Sequence, residues 1–335
     1  MTAIEMLANA IKARNLDDDT FRQYAFWIRK IYYKCLKKPF SQWSGEDVTR
    51  AMIWLRDQNY SSTSRKNALC AVVFMFRWVL KKDLGTLDLP PMPKQRKTLR
   101  DVPTRDEVAK IIMLLTGNVK LLGGLIYGGG LRVEETCTLR VQDIAFDRKE
   151  VRIHQGKGDK SRLPPLAGVM IPALRHYIEV TRLDLYRRDL ARGAGYVELP
   201  GRLAQKYPRA NREFRWQFLF PSYCIRNAAG KSRKSTDEPG YRWHITKEAV
   251  EKQFAAALRI SGIIKRITPH TFRHAFTTHA LENGEEFKTV QDWLGHQDAN
   301  TTLIYAHSQH RGTSPMDFGL RIEPAREPLK ICFEN

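Results

Sequence analysis

Pro269-His270-Thr271-Phe272-Arg273, then Leu294-Gly295-His296, then Tyr305 decide how this chain is read. Two histidines, an arginine and a tyrosine recur at close spacing, with no acidic metal ligand among them. Thr268 can cap a helix and Pro269 suits its first position, where a missing N–H costs nothing. Phe272, Ala275 and Phe276 supply an apolar stripe, and Gly284 suits the end. Phe287, Val290 and Leu294 mark a second helix stopped by Gly295, and Asn300 or Thr301 caps one more that carries Tyr305. His270 and Arg273 are three apart, so they share a helix face near an N-terminus, where unbonded N–H groups and the dipole favour an anion.

These residue types suit one chemistry: cations hold a phosphodiester while a phenol attacks its phosphorus. Arg132, in Gly130-Leu131-Arg132-Val133-Glu134-Glu135, follows a glycine run and falls at a helix start. Two planar guanidinium forks, Arg132 and Arg273, match the two non-bridging oxygens, and their charge counts most when the phosphorus is pentacoordinate. Tyr305 is the candidate nucleophile. A free phenol has a pKa of about 10, so it needs cationic surroundings and a neutral base. His270 is assigned as that base and His296 as a donor to a phosphate oxygen. Lys157, in Gly156-Lys157-Gly158, is assigned to protonate the leaving sugar oxygen, with Glu135 in a supporting role. Each residue alone is ordinary surface or core; the set is what points to phosphoryl chemistry. A metal nuclease would need clustered carboxylates, and these motifs offer cations.

Working outward, residues 147–166 predict a β-hairpin. Val151, Ile153 and Gln155 alternate with Arg152 and His154, and Gly156-Lys157-Gly158-Asp159 turns the chain with Lys157 at or near the tip. Gly, Pro and aromatic residues punctuate 192–217, which reads as an insertion with one short helix; 226–240 reads as a loop. Thr104 with Glu107 has the form of a capping box that opens a domain. Before it, the prolines of Leu89-Pro90-Pro91-Met92-Pro93-Lys94-Gln95-Arg96 predict an extended linker. The first part reads as a small helical bundle. Phe21, Tyr24, Ala25, Ile28 and Ile31 form one stripe, Val48, Met52 and Leu55 follow Ser44 and Asp47, and Ser62-Thr63-Ser64 opens a helix carrying Leu69, Val72, Val73, Phe76 and Leu80.

The chain has 335 residues, room for about two domains with real cores. Its formal net charge is +20, which implies a polyanionic partner, most simply nucleic acid. Residues 1–96 hold 17 Lys/Arg against 9 Asp/Glu and the remainder 39 against 27, so both parts could touch phosphate. The plain alternative is a solvated basic surface. Five scattered cysteines without a Cys-x-x-Cys argue for a reducing compartment and against a disulfide frame or zinc ribbon. No signal-peptide pattern opens the chain and no run of about 18 apolar residues occurs, so no membrane partner is expected.

In order and spacing, Arg132, Lys157, His270-x-x-Arg273, Leu294-Gly295-His296 and Tyr305-Ala306-His307 resemble the signature of the tyrosine recombinases. The resemblance spans roughly residues 100–310. It implies a fold that is mainly α with a small antiparallel β-sheet, in a two-domain C-shaped DNA clamp. The expected division is a helical core-binding (SAM-like) domain at 1–88, a linker at 89–100, a catalytic domain at 101–310 with an insertion at about 190–217, and a tail at 311–335 that could pack onto a neighbouring protomer. It further implies a 3′-phosphotyrosyl intermediate, no metal or other cofactor, no small-molecule substrate, a homotetramer on DNA, and a bacterial cytoplasmic, nucleoid-associated location.

Within that family the chain looks most like the integron integrases. The segment from Asp189-Leu190 through Gly195-Tyr196-Val197-Glu198-Leu199-Pro200, Lys206-Tyr207-Pro208-Arg209-Ala210 and Phe214-Arg215-Trp216-Gln217-Phe218-Leu219-Phe220-Pro221-Ser222 carries this likeness, with Arg132-Val133-Glu134-Glu135 and Leu139-Arg140-Val141-Gln142-Asp143-Ile144. It implies recombination between duplex attI and folded, single-stranded attC sites. Extrahelical bases then need stacking platforms, for which Trp216, Trp243 and His244 are the candidates. His154 and Tyr241-Arg242-Trp243-His244 depart from relatives, as does the tail beyond Arg311-Gly312. The alternatives are a Xer- or phage-type recombinase acting on duplex sites and, from another class, a non-catalytic DNA-binding protein of the same fold.

Overall fold

The computed structural model describes residues 2–92, 102–156, 160–201, 203–231 and 238–295. The chain divides into two compact units, residues 1–99 and 100–335. Most of the linker, the tip of the 147–166 hairpin with Lys157, and everything from His296 onward, including Tyr305 and the tail, lie outside the described residues.

The first unit is helical: α1 (Ala3–Lys12), α2 (Asp18–Ile31), α3 (Gly45–Asp57) and α4 (Ser62–Phe74), the last running on through a wide turn at Met75–Leu80. Local chemistry sets each start. The Thr2 and Ser44 hydroxyls accept N–H bonds from Glu5 and Asp47, whose carboxylates reach back to the cap N–H, which satisfies donors a helix start leaves open. Ser61 caps α4 by accepting from the Ser64 N–H at 3.1 Å, one residue earlier than the sequence pattern suggested. Helix α1, not foreseen, buries Leu7 and Ile11. They join Trp27, Ile28, Ile31, Val48, Met52, Leu55, Val72 and Phe76 in a core of this unit's own.

The second unit begins with α5 (Arg105–Leu114), capped by the expected Thr104–Glu107 box, then α6 (Gly117–Gly129) and α7 (Val133–Thr138). Strands β1 (Ile144–Ala145) and β2 (Glu150–Val151) pair antiparallel, as do β3 (Ile153–Gly156) and β4 (Lys160–Arg162), with Ile153 opposite Arg162 and Gly156 opposite Lys160. Helices α8 (Ile171–His176) and α9 (Leu183–Ala191) continue one into the other. The insertion holds α10 (Leu203–Lys206) and two short turns at 210–212 and 214–216. Strands β5 (Pro221–Arg226) and β6 (Tyr241–His244) form a third antiparallel pair, not foreseen from the sequence, on either side of the segment read as a loop. Helices α11 (Lys247–Ser261), α12 (Pro269–Glu282) and α13 (Phe287–Leu294) complete the described part.

Helix α6 is buried almost along its whole length and packs on α12, with Leu122, Leu125, Ile126, Phe254, Phe272 and Phe276 among the shared core. On another side of α6, Gly123 leaves room for Leu115 at the end of α5, which a Cβ would meet at 2.7 Å. The architecture is therefore mainly helical with small antiparallel sheets. Among the described residues no helix is long and apolar enough to cross a membrane.

Candidate functional site

The starts of α7 and α12 and the end of α13 meet through arginines. Thr268 caps α12 by accepting from the Thr271 N–H at 3.2 Å, with Pro269 at the first position. The first turns present His270 to solvent and turn Arg273 inward, 4% exposed. The two residues share a helix end but not an environment. Arg273 donates from Nη1 to the Gly130 carbonyl at 2.5 Å and from Nη2 to the Leu294 carbonyl at 2.7 Å, which fixes the plane of the guanidinium. Gly130 ends α6 with φ +63°, and a Cβ there would strike the Phe276 ring at 2.4 Å, so only glycine turns the chain here.

Two residues on, Arg132 is the N-cap of α7. Its backbone N–H donates to Glu135 Oε2 at 2.9 Å and its Nη1 to Oε1 at 2.7 Å. A residue the sequence reading missed closes the cluster from the other side. Arg162, on β4, donates from Nη1 to Glu135 Oε1 at 3.0 Å and from Nη2 to Oε2 at 2.5 Å, and from Nε to the Trp293 carbonyl at 2.8 Å. Burial works against the Glu135 charge, but hydrogen bonds and charge from Arg162, then Arg132, hold its carboxyl down at about 2. Burial and the neighbouring Arg132 lower Arg273 to about 9, so it remains a cation at neutral pH.

Three guanidiniums around one carboxylate leave an excess of positive charge, set on helix starts and carbonyl ends rather than on mobile loops. That arrangement can hold an anion and stabilise charge that develops on it. His270 carries a second unforeseen neighbour: His274 Nε2 lies 3.0 Å from His270 Nε2, and one ring must be neutral to accept that bond. The structure thus brings Arg132, Glu135 and Arg273 together, with His270 on the same helix as Arg273. Of the remaining candidates, Lys157 falls between the paired ends of β3 and β4 in sequence and His296 directly follows Gly295; both, with Tyr305, lie outside the described residues. Among the described residues no cluster of His, Cys, Asp or Glu is arranged to hold a metal ion.

A second feature adjoins the first. A cavity of about 1030 Å³ is lined by Glu135 of α7 and by Trp216, Trp243 and His244, so all three candidate stacking residues face one space. Trp216 is half-buried and its Nε1 has no partner, whereas its neighbour Phe218 is core. Trp243 Nε1 reaches the Asn227 carbonyl at 3.4 Å, and His244 stands edge-on to Phe218 with ring centres 5.1 Å apart. His154, from the β3–β4 hairpin, also lines the cavity, its Nε2 3.3 Å from Asp143 Oδ1. Burial raises the Asp143 carboxyl, opposed by the Arg140 backbone N–H and by His154.

Known proteins share this arrangement of elements. Residues 101–311 match the phage integrase family, and residues 4–86 match the phage integrase N-terminal SAM-like domain. An integrase/recombinase of Escherichia coli is 33% identical over 323 residues, 94% of this chain and 93% of that protein. The tyrosine recombinase XerA of Thermococcus onnurineus is 28% identical over 86% of this chain and 84% of its own. Among solved structures, the Tn1549 transposon integrase in complex with a circular intermediate DNA has a TM-score of 0.59 at 16% identity, covering 93% of this chain and 96% of that one. A lambda integrase dimer bound to a COC′ core site has a TM-score of 0.56 at 16% identity, covering 90% and 93%.

Proposed function

The chain belongs to the phage integrase family of tyrosine recombinases, enzymes that cut and rejoin DNA at specific sites, and on that premise we propose that it recombines a duplex site with a folded single strand bearing unpaired bases. One observation carries the second half of that reading. Trp216, from the insertion, and the consecutive Trp243 and His244 of β6 line a single cavity beside the helix that begins at Arg132. An aromatic-walled space of this size, near the top of the range for ligand pockets (about 300–1,000 Å³), suits a base swung out of its stack. Stacking there is worth about 1–3 kcal/mol per base whatever its identity.

In this reading Arg132 and Arg273 hold the non-bridging oxygens of the scissile phosphate. Glu135 and Arg162 keep the Arg132 fork in plane. Arg273, anchored on two carbonyls, does not have to reorganise as charge grows on the phosphorane. Tyr305 supplies the attacking oxygen, and His270 accepts its proton. The phosphorus–oxygen bond to the 5′ sugar breaks as the bond to tyrosine forms, Lys157 donates the proton that makes the leaving 5′-hydroxyl, and His296 donates to a phosphate oxygen. One phosphodiester replaces another, so the energy for resealing is retained. The reverse attack by another strand's hydroxyl completes the exchange, for which four protomers act on two sites.

The relatives also support a Xer- or phage-type enzyme acting on duplex sites alone, since XerA and XerD proteins match over most of this chain. One experiment separates the two. Binding is compared on a folded single strand carrying one unpaired base, on its bulge-free twin, and on duplex. The integron-type reading expects tighter binding to the bulged strand, and Trp216→Ala should remove that advantage. Equal binding of bulged and bulge-free strands leaves the duplex-only reading. On nicked suicide substrates Tyr305→Phe should form no covalent protein–DNA adduct; an adduct in that variant refutes the nucleophile assignment.

A further inference from the structure

We infer that Arg140 is a positioning residue that couples capture of an unpaired base in the aromatic cavity to alignment of Arg132. The inference rests on the cavity reading above and adds a route from cavity to phosphate site. Arg140 follows α7 by two residues, and Arg132 caps the other end of that helix. Its two terminal nitrogens grip the backbone of the cavity wall: Nη1 donates to the Trp216 carbonyl at 2.7 Å and Nη2 to the Glu198 carbonyl at 2.7 Å. The guanidinium also lies over Phe218, 4.6 Å from the ring centre. The Leu219 N–H donates to the Leu139 carbonyl at 2.7 Å and the Val141 N–H to the Gln217 carbonyl at 3.0 Å, so the chain leaving α7 runs paired beside the chain leaving Trp216. The Arg140 N–H is itself held by Asp143 Oδ2 at 2.8 Å.

Helix α7 is a turn and a half long, with Val133, Thr136 and Cys137 buried, so it has little room to flex internally. A displacement of Trp216 is therefore passed through its carbonyl to Arg140, along α7, and to the Arg132–Glu135 pair. Sequence position gives no hint of this, because the Trp216 carbonyl lies 76 residues from Arg140. The guanidinium is suited to the task because its planar fork can hold two carbonyls at once, which an ammonium on a flexible stem does less well. Glu135 holds the Arg132 fork, and a base stacked on Trp216 steadies the wall that Arg140 ties to the far end of the same helix.

The test uses the full-length protein and two probes, a folded single strand with one unpaired base near a nicked cleavage point and its bulge-free twin. Two ratios are measured, bulged over bulge-free: affinity, and single-turnover adduct rate at saturating protein. In the wild type both ratios should exceed one. In Arg140→Ala the rate ratio should fall toward one, a loss of about tenfold and inside the usual span of site-to-site coupling, while the affinity ratio persists. A rate ratio that stays at the wild-type value overturns the inference, and so does an equal drop of both rates, which a merely structural role would give. Loss of the affinity ratio along with the rate ratio also overturns it, because Arg140 would then only shape the cavity. If the wild type itself shows neither ratio, the cavity reading fails and the inference with it. Should Arg140→Ala not fold, Arg140→Lys keeps the charge but not the fork and is read by the same two ratios.

Discussion

Glu135 carries more of the site than its supporting place in the sequence implied. It takes four hydrogen bonds, from the Arg132 backbone and side chain and from two nitrogens of Arg162. Removing its charge leaves two arginines facing each other without a counterion. Its carboxyl is held at about 2, below the unfolded value, so its stabilisation is fully present above about pH 4.5 and lost as pH falls through about 2. The size is on the order of 3 kcal/mol. Glu135→Gln should therefore be less stable than wild type at pH 7, with a gap that narrows between pH 4.5 and 3. Urea unfolding of both proteins across that range measures it, and a gap constant with pH would show that the carboxylate's charge is not what stabilises.

At the scale of elements, the contact between α6 and α12 holds a second titrating pair. Tyr127 Oη lies 2.9 Å from His279 Nδ1 in the core. Burial, then Arg105, lowers His279 to about 4, and burial raises Tyr127, so both stay neutral at pH 7. A folded pKa below the unfolded value of about 6.5 means stability is present above 6.5 and lost as pH falls toward 4. That window lies above the one for Glu135. His279→Asn can still meet the tyrosine hydroxyl but cannot titrate, so its unfolding free energy should be flatter than wild type between pH 6.5 and 4.5. An unchanged slope would place the acid sensitivity elsewhere. What the sequence made legible was of this local kind. Thr104 with Glu107, Ser44 with Asp47, Thr268 with Pro269, and Gly295 each act on residues within a turn, and each element start or stop they imply is present. Arg132 and Arg273 were legible through motif spacing. Arg162 was not, because its carboxylate partner is 27 residues away and a basic residue beside a glycine turn has no distinguishing pattern. Strand β6 was illegible for the same reason: its buried position is the charged Arg242, which Asp189, 53 residues distant, neutralises.

Across the whole molecule two kinds of DNA recognition should separate by their response to salt. The net charge of +20, spread over both the first 96 residues and the remainder, makes backbone contact the main source of affinity. Each phosphate neutralised releases counterions, so the logarithm of the binding constant falls with that of salt at a slope of roughly 0.7–0.9 per contact. Stacking a base on Trp216, Trp243 or His244 releases no counterion beyond those already displaced. A bulged folded strand and its bulge-free twin carry nearly the same phosphates, so both affinities should drop steeply and in parallel as salt rises. Their ratio should stay level, because it reports the cavity alone. Fluorescence anisotropy of the two labelled strands over a salt series measures slope and ratio together. A ratio that decays with the affinities would mean that the bulge is sensed through charge, and the aromatic walls would lose their assigned part in choosing the substrate.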